Sequence, residues 1–314
     1  MNEIIEPSKI PEETPKTGYY IKGQGALYST DLDEINKKIV NNPDFDTVVE
    51  FRGNIEEELS RCIKNSDNEE GIKGIKNVLS IGLKDLYEST KNENFREEIQ
   101  KTKKLVECLI EQYKESFYLL FTPEHEPSTI LHSLNLMALS LHVYQYIKNN
   151  YPEYLSIGSI QDFALAGLLH DTGKIYIEDI VKKTEKLSDS DWERIKKHPQ
   201  DGYNLLKKTG TTSERVLNAT LYHHRRFNNT GYPELAPGDK VLPLTYLIGI
   251  IDSLEAITSK SRIHNANREV ISMEKALGML HRDIQTKTSL FYPIDLYNII
   301  INSLTNGEGV FKQS

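Results

Sequence analysis

The chain has 314 residues, 38% of them hydrophobic and 27% charged, the make-up of an ordinary folded protein with room for about two domains. Its formal net charge of −8 excludes a nucleic-acid scaffold, whose footprint is basic, so no nucleic-acid polymer is expected as a partner. The two cysteines, Cys62 and Cys108, exclude a disulfide framework or a cysteine-rich structural zinc site. No stretch reaches the roughly 18 apolar residues of a membrane span, and the acidic start is unlike a secretory leader, so a cytoplasmic chain with no membrane partner is expected.

In chain order, 1–16 is rich in Pro, Glu and Lys and reads as a flexible lead-in. Residues 17–53 read as a small α/β module. Tyr19-Tyr20-Ile21 and Ala26-Leu27-Tyr28 flank the loop Lys22-Gly23-Gln24-Gly25 as a hairpin. Ser29 to Asp31 can cap a helix to about Asn41, and Thr47 to Phe51 reads as a strand. Residues 54–125 form a helical linker region, with apolar periodicity over Ile55–Lys64, Gly71–Ser89 and Asn94–Leu120. The last of these resembles a stalk, and stalks pair with second copies, so a homodimer is an expectation.

From 126 to 314 the pattern is helical almost throughout. Helices are expected at about Ser128–Asn149, Ser159–Asp171, Ser188–Lys197, Asp201–Lys207, Ser213–Arg225, Val241–Thr258, Ser272–Ile284 and Ile294–Ser303. Ser188 with Asp191, and Ser190 with Glu193, are alternative capping boxes. Pro199 is expected to end its helix and leave His198 at the C-terminal edge. The fold class is therefore mainly α: a C-terminal all-helical bundle with a small N-terminal α/β module and a helical linker.

The polar groups inside this apolar pattern carry the chemistry. Ala164 to Leu169 run apolar into His170 and Asp171, and burying a carboxylate beside an imidazole is costly unless something compensates it. Lys174 lies one turn on, a cation in keeping with a visiting anion such as phosphate. His132 and Asp252 interrupt apolar helices, His198 sits at a helix edge, and His223-His224 would repel each other if both were protonated. Singly each has an ordinary explanation. Together they offer five imidazoles and two carboxylates, enough for two ions of four protein ligands each if Asp171 bridges. Such mixed donors suit iron or manganese first, then zinc or nickel, and do not suit calcium or magnesium.

The ordered series His170-Asp171-Thr172-Gly173-Lys174, His198-Pro199, His223-His224 and Gly231-Tyr232-Pro233 resembles the HD-GYP family of the HD-domain metal-dependent phosphohydrolases, over roughly 128–303. The resemblance implies a helical HD domain that hydrolyses cyclic di-GMP to linear pGpG, and onward to GMP, through a hydroxide bridging two metals. It assigns His132, His170, Asp171 and Asp252 to one ion, and Asp171, His198, His223 and His224 to the other. Asp171 and Lys174 are then the catalytic pair. Lys174, Lys183, Tyr232 and Arg262 are the candidate substrate contacts. The Gly231-Tyr232-Pro233 loop is also a candidate docking point for a diguanylate cyclase or another signalling protein.

The chain departs from the family pattern in several places. Arg225 stands where Glu is usual, Asn228 and Asn229 replace the Asp-Gly step, and Thr184 replaces Pro. Glu255 replaces an Asp, and Ser261-Arg262-Ile263-His264 replaces a basic run. Ser128 occupies the place of a Glu that supports a third metal in some relatives, so two metals are expected. The altered run leaves open hydrolysis of another nucleotide, such as a mixed cyclic dinucleotide or a nucleoside phosphate. A low-turnover module that binds a cyclic dinucleotide and signals onward is the third reading.

Overall fold

The computed structural model describes residues 3–5, 18–23, 27–29, 45–51, 55–90, 94–121, 128–181, 183, 185–259, 271–286 and 291–305. The helix expected from Ser29 to Asn41, and the candidate contact Arg262, lie outside these residues. The chain divides into two compact units, Met1–Lys114 and Glu115–Ser314.

In the first unit, β1 (Glu3–Ile5), β2 (Gly18–Gly23), β3 (Leu27–Ser29) and β4 (Phe45–Phe51) form one sheet in the order β1-β4-β2-β3. The β2–β3 hairpin is antiparallel and pairs Ile21 with Leu27. Strand β1 is a correction: Glu3–Ile5 falls inside the expected lead-in yet runs parallel to β4, with Glu3 opposite Val49, because Ile4-Ile5 is a β-branched pair that suits a strand.

Three helices follow: α1 (Ile55–Lys64), α2 (Glu69–Ser89) and α3 (Phe95–Gln112), packed pairwise. Asn68 caps α2 by accepting from the Gly71 amide. Helix α3 buries Phe95, Ile99, Thr102, Leu105, Val106 and Leu109. Its apolar stripe is thus covered within its own unit, and its periodicity needs no second chain to explain it. It also ends eight residues before the expected Leu120, because Tyr113 turns extended ahead of the polar Lys114-Glu115-Ser116; a separate 3-10 turn spans Phe117–Leu120.

The second unit is helical: α4 (Thr129–Asn150), α5 (Ile160–Leu169), a 3-10 turn (Thr172–Ile177), α6 (Glu178–Val181), α7 (Asp189–Ile195), α8 (His198–Thr209), α9 (Glu214–Tyr222), α10 (Pro243–Thr258), α11 (Met273–Thr286) and α12 (Ile294–Thr305). Helix α4 is buried without a break from His132 to Val143, and α10 over nearly its whole length. A helix apolar all round belongs at the centre of a bundle, and here α4 packs on α5 and α10 while α5 and α10 pack on α9. Ser159 and Ser188 form capping boxes with Asp162 and Asp191, so the first of the two alternatives at α7 is the one used.

Two boundaries differ from expectation. Helix α5 stops at Leu169, leaving His170 as its cap and Asp171 in the step to the 3-10 turn. His198 opens α8 instead of closing α7. Proline lacks only an N–H that a first helical turn leaves unpaired, so Pro199 starts this helix and does not end its predecessor.

Candidate metal centre

Three imidazoles are fixed by the same device. His170 Nδ1 donates to the Gly167 carbonyl at 2.9 Å, His198 Nδ1 to Ile195 at 2.6 Å, and His223 Nδ1 to Ala219 and Thr220, both at 3.1 Å. Each of these carbonyls lies three or four residues earlier, in the last turn of a helix. His132 Nδ1 instead meets the Glu255 carboxylate at 2.6 Å. Carbonyls and carboxylates only accept, so the proton of each neutral ring sits on Nδ1 and a lone pair sits on Nε2.

Those lone pairs face one another. His132 Nε2 is 3.2 Å from His170 Nε2, and His198 Nε2 is 3.3 Å from His223 Nε2. Asp171, 1% exposed, lies between the two pairs. Its Oδ2 is 3.3 Å from both His132 Nε2 and His170 Nε2; its Oδ1 is 3.1 Å from His198 Nε2 and 3.7 Å from His223 Nε2. Buried Oδ1 has no hydrogen-bond partner. Asp252 Oδ1 is 3.4 Å from His132 Nε2, and its Oδ2 is 4.0 Å from His224 Nδ1.

Facing lone pairs around an orphaned carboxylate oxygen repel unless a cation lies among them, so the donor set fits metal ions. Three groups of donors are close enough to share an ion: His132, His170 and Asp252; His170, Asp171 and His223; and His198, His223 and His224. All seven residues expected from the sequence are therefore brought together.

The electrostatics follow from burial and neighbours. Burial opposes the charge on Asp171, but His170, Lys174 and His132 outweigh it and hold the carboxyl well below its ordinary range. Asp252 is held well down in the same way by His132 and His224, and Glu255 is lowered by His132, Ser259 and Asn135 against its burial. His223 is pushed down to about 3 by burial and by the charge of His170; burial, His223 and His198 keep His224 well below a free imidazole. Burial also disfavours charge on His132, yet Glu255, Asp171 and Asp252 more than offset it and raise that group well above its usual value. The centre is a knot of ionised acids among imidazoles, of which His223 and His224 are held as neutral rings.

Two glycines allow the close approach. A Cβ on Gly173 would overlap the His198 carbonyl, and one on Gly249 would lie 2.6 Å from the His223 carbonyl. Without side chains there, the 3-10 turn seats on α8 and α10 seats on the end of α9, which brings Asp171 to His198 and Asp252 to the His223-His224 pair.

The candidate substrate contacts are placed as follows. Lys174 Nζ donates to Asp171 Oδ2. Lys183 Nζ donates to Asp191 Oδ1 at 2.6 Å, joining the capping box of α7. The Tyr232 ring lies 4.7 Å from that of His224, tilted by 36°. Arg225, the residue in place of Glu, donates to the Gly231 carbonyl at 3.1 Å and so clasps the loop that carries Tyr232. Glu255 is the functional group that sequence reasoning passed over. It accepts from His132, from Asn135 at 3.2 Å and from Ser259 at 2.7 Å. The signal was available: Glu255 follows Asp252 by one helical turn, and Asn135 follows His132 by one.

Residues 129–257 match the model of the HD domain. Over 132 residues, 42% of this chain and 30% of the other, the chain is 33% identical to a cyclic di-GMP phosphodiesterase of Pseudomonas aeruginosa. It is 30% identical over 129 residues, 40% of this chain and 33% of the other, to the cyclic di-GMP phosphodiesterase response regulator RpfG of Xanthomonas campestris. To the 3'3'-cGAMP-specific phosphodiesterase 3 of Vibrio cholerae it is 28% identical over 38% of this chain and 25% of the other. The matched stretch thus spans about a third or less of these relatives' length. The fold is shared with a solved HDG"Y"P protein from Bdellovibrio bacteriovorus, at a TM-score of 0.57 and 16% identity, covering 92% of this chain and 94% of that one. The motif series lies inside residues 129–257, which carry an HD domain.

Proposed function

We propose that the chain is a metal-dependent phosphodiesterase that opens cyclic di-GMP to linear pGpG, with GMP as a further product. The observation that carries this reading is the pair of facing imidazole Nε2 contacts on either side of Asp171, whose orphaned Oδ1 completes a donor set for two ions. His132, His170, Asp171 and Asp252 would hold one ion, and Asp171, His198, His223 and His224 the other. Iron or manganese suits these donors best. Bound ions of this kind acidify water and polarise phosphoryl oxygens.

The chain's own groups supply the remainder. Lys174 reaches Asp171 and offers its ammonium to charge developing on the phosphoryl oxygens. Lys183, held by Asp191, is assigned to a substrate phosphate, and Tyr232, steadied against His224, to a guanine face. Arg262 keeps its assignment on the family resemblance alone. A mixed cyclic dinucleotide is a second substrate reading, favoured by the similarity to the Vibrio cholerae 3'3'-cGAMP-specific phosphodiesterase 3.

Protein purified without oxygen and supplied with Mn²⁺ or Fe²⁺ should hydrolyse one member of a panel of cyclic dinucleotides, with metal analysis returning two ions per chain. Asp171→Ala should lose both metal and turnover. Unchanged turnover in that variant would overturn the assignment.

A further inference from the structure

The two halves of the centre are unequal in charge, and Glu255 adds to the difference. One group of donors, His132, His170 and Asp252, includes a carboxylate, and the other, His198, His223 and His224, is wholly imidazole, with Asp171 turning one oxygen toward each. Behind the first group stands Glu255, 0% exposed, bonded to the back of His132 at 2.6 Å. Both of its oxygens are used as acceptors: Oε2 by His132, Oε1 by Asn135 and Ser259. Even with Lys174 set against Asp171, Asp252 and Glu255 leave an uncompensated negative charge on the His132 side. On the three-imidazole side, beyond Asp171, only Asp252 Oδ2 comes near, 4.0 Å from His224 Nδ1. That side is also the more open, since the His224 side chain is 17% exposed whereas those of His132 and Asp252 are 8% and 7% exposed.

We propose that Glu255 is a positioning residue that makes the two metal positions fill in order, the His132–His170–Asp252 position first and the His198–His223–His224 position second. It acts through His132. Its carboxylate fixes the ring with Nε2 aimed at the ion and makes that nitrogen a stronger donor, while its charge adds to the pull on a cation. This inference rests on the two-ion reading above. It deepens that reading by saying which position is tight and why.

The test titrates Mn²⁺ into the full-length, metal-stripped chain under nitrogen and follows binding by electron paramagnetic resonance. An isolated Mn²⁺ and a coupled pair give different spectra, so the readout is independent of turnover. The wild type should show an isolated-ion spectrum through the first equivalent and a coupled spectrum only as the second is added. His224→Ala should keep the tight step and lose the weak one. Glu255→Gln preserves shape and the acceptor for His132 but removes the charge, and should weaken the tight step by about 10- to 100-fold, the scale found for outer partners of metal ligands. The two steps should then merge. Glu255→Asp keeps the charge and should keep the order of filling, which provides the comparison if the Gln variant does not fold. Two binding steps unmoved by Glu255→Gln, both weakened alike, or an order of filling lost in Glu255→Asp would overturn this proposal while leaving the two-ion reading intact. A wild type that takes up no Mn²⁺ would instead overturn the reading beneath it.

Discussion

In the first unit, buried polar side chains are answered from their own helix; at the centre of the second, the inward nitrogens and carboxylate oxygens meet groups from other helices. Glu58 pairs with Arg61 one turn on, Ser89 donates to the Leu86 carbonyl, and Thr102 donates to Glu98. In the second unit His132 meets His170 across 38 residues of chain, His198 meets His223 across 25, and Glu255 meets His132 across 123. A locally answered group costs folding little and needs no other purpose. Groups that converge must desolvate together, and seven titratable side chains gathered that way are a burden on stability that function has to explain.

The contrast can be broken or sharpened by experiment. The largest effect belongs to Asp171→Ala: about 10³-fold or more in turnover, with loss of bound metal, because the ligand proposed to be shared disappears. Next comes Lys174→Met, which should lower kcat by roughly 10²- to 10³-fold, the scale for one lost charge-stabilising donor, while metal content stays at the wild-type value. A variant that lost its metal would show that Lys174 supports the centre and not the reaction.

Leu59→Ala probes the other side of the comparison. Leu59 is 0% exposed in α1, and its truncation should cost about 2–5 kcal/mol in urea unfolding of the first unit. Metal content should not change. Metal loss in this variant would mean that the two units do not maintain themselves separately.

The smallest effect is in pH. His223 titrates near 3 when folded and near 6.5 as a free imidazole, so between those values the unfolded chain binds the extra proton. Its contribution to stability is complete above about 6.5 and declines as pH falls toward 3, by up to about 1.4 kcal/mol per unit. Urea midpoints of the metal-free wild type should therefore fall more steeply between pH 6.5 and 4 than those of His223→Gln. Parallel slopes would refute a neutral, buried His223.

Much of this was legible in the sequence because the signals were local. Apolar periodicity located α4, α5 and α10, and polar interruptions in that periodicity located His132, His170, Asp171 and Asp252. What escaped depended on partners distant in the chain. Pro199 is compatible with ending one helix or opening the next, and only the seat of α8 against Gly173 decides between them. Lys183 has its partner, Asp191, eight residues on in the capping box of α7. Glu255 read as a departure from a family pattern, and its hydrogen bond to His132 joins two helices that no periodicity relates. The short strand at Glu3–Ile5 was hidden because its partner β4 lies some forty residues on.

The divided carboxylate of Asp171 has one more consequence. Oδ2 is turned to His132 and His170, and Oδ1 to His198 and His223. With an ion held at one oxygen, the plane of the Asp171 carboxylate would be fixed and the other oxygen already aimed. The second ion should therefore meet an oxygen that needs no further turn, and a modest fall in metal supply, emptying the weaker position first, should silence the protein.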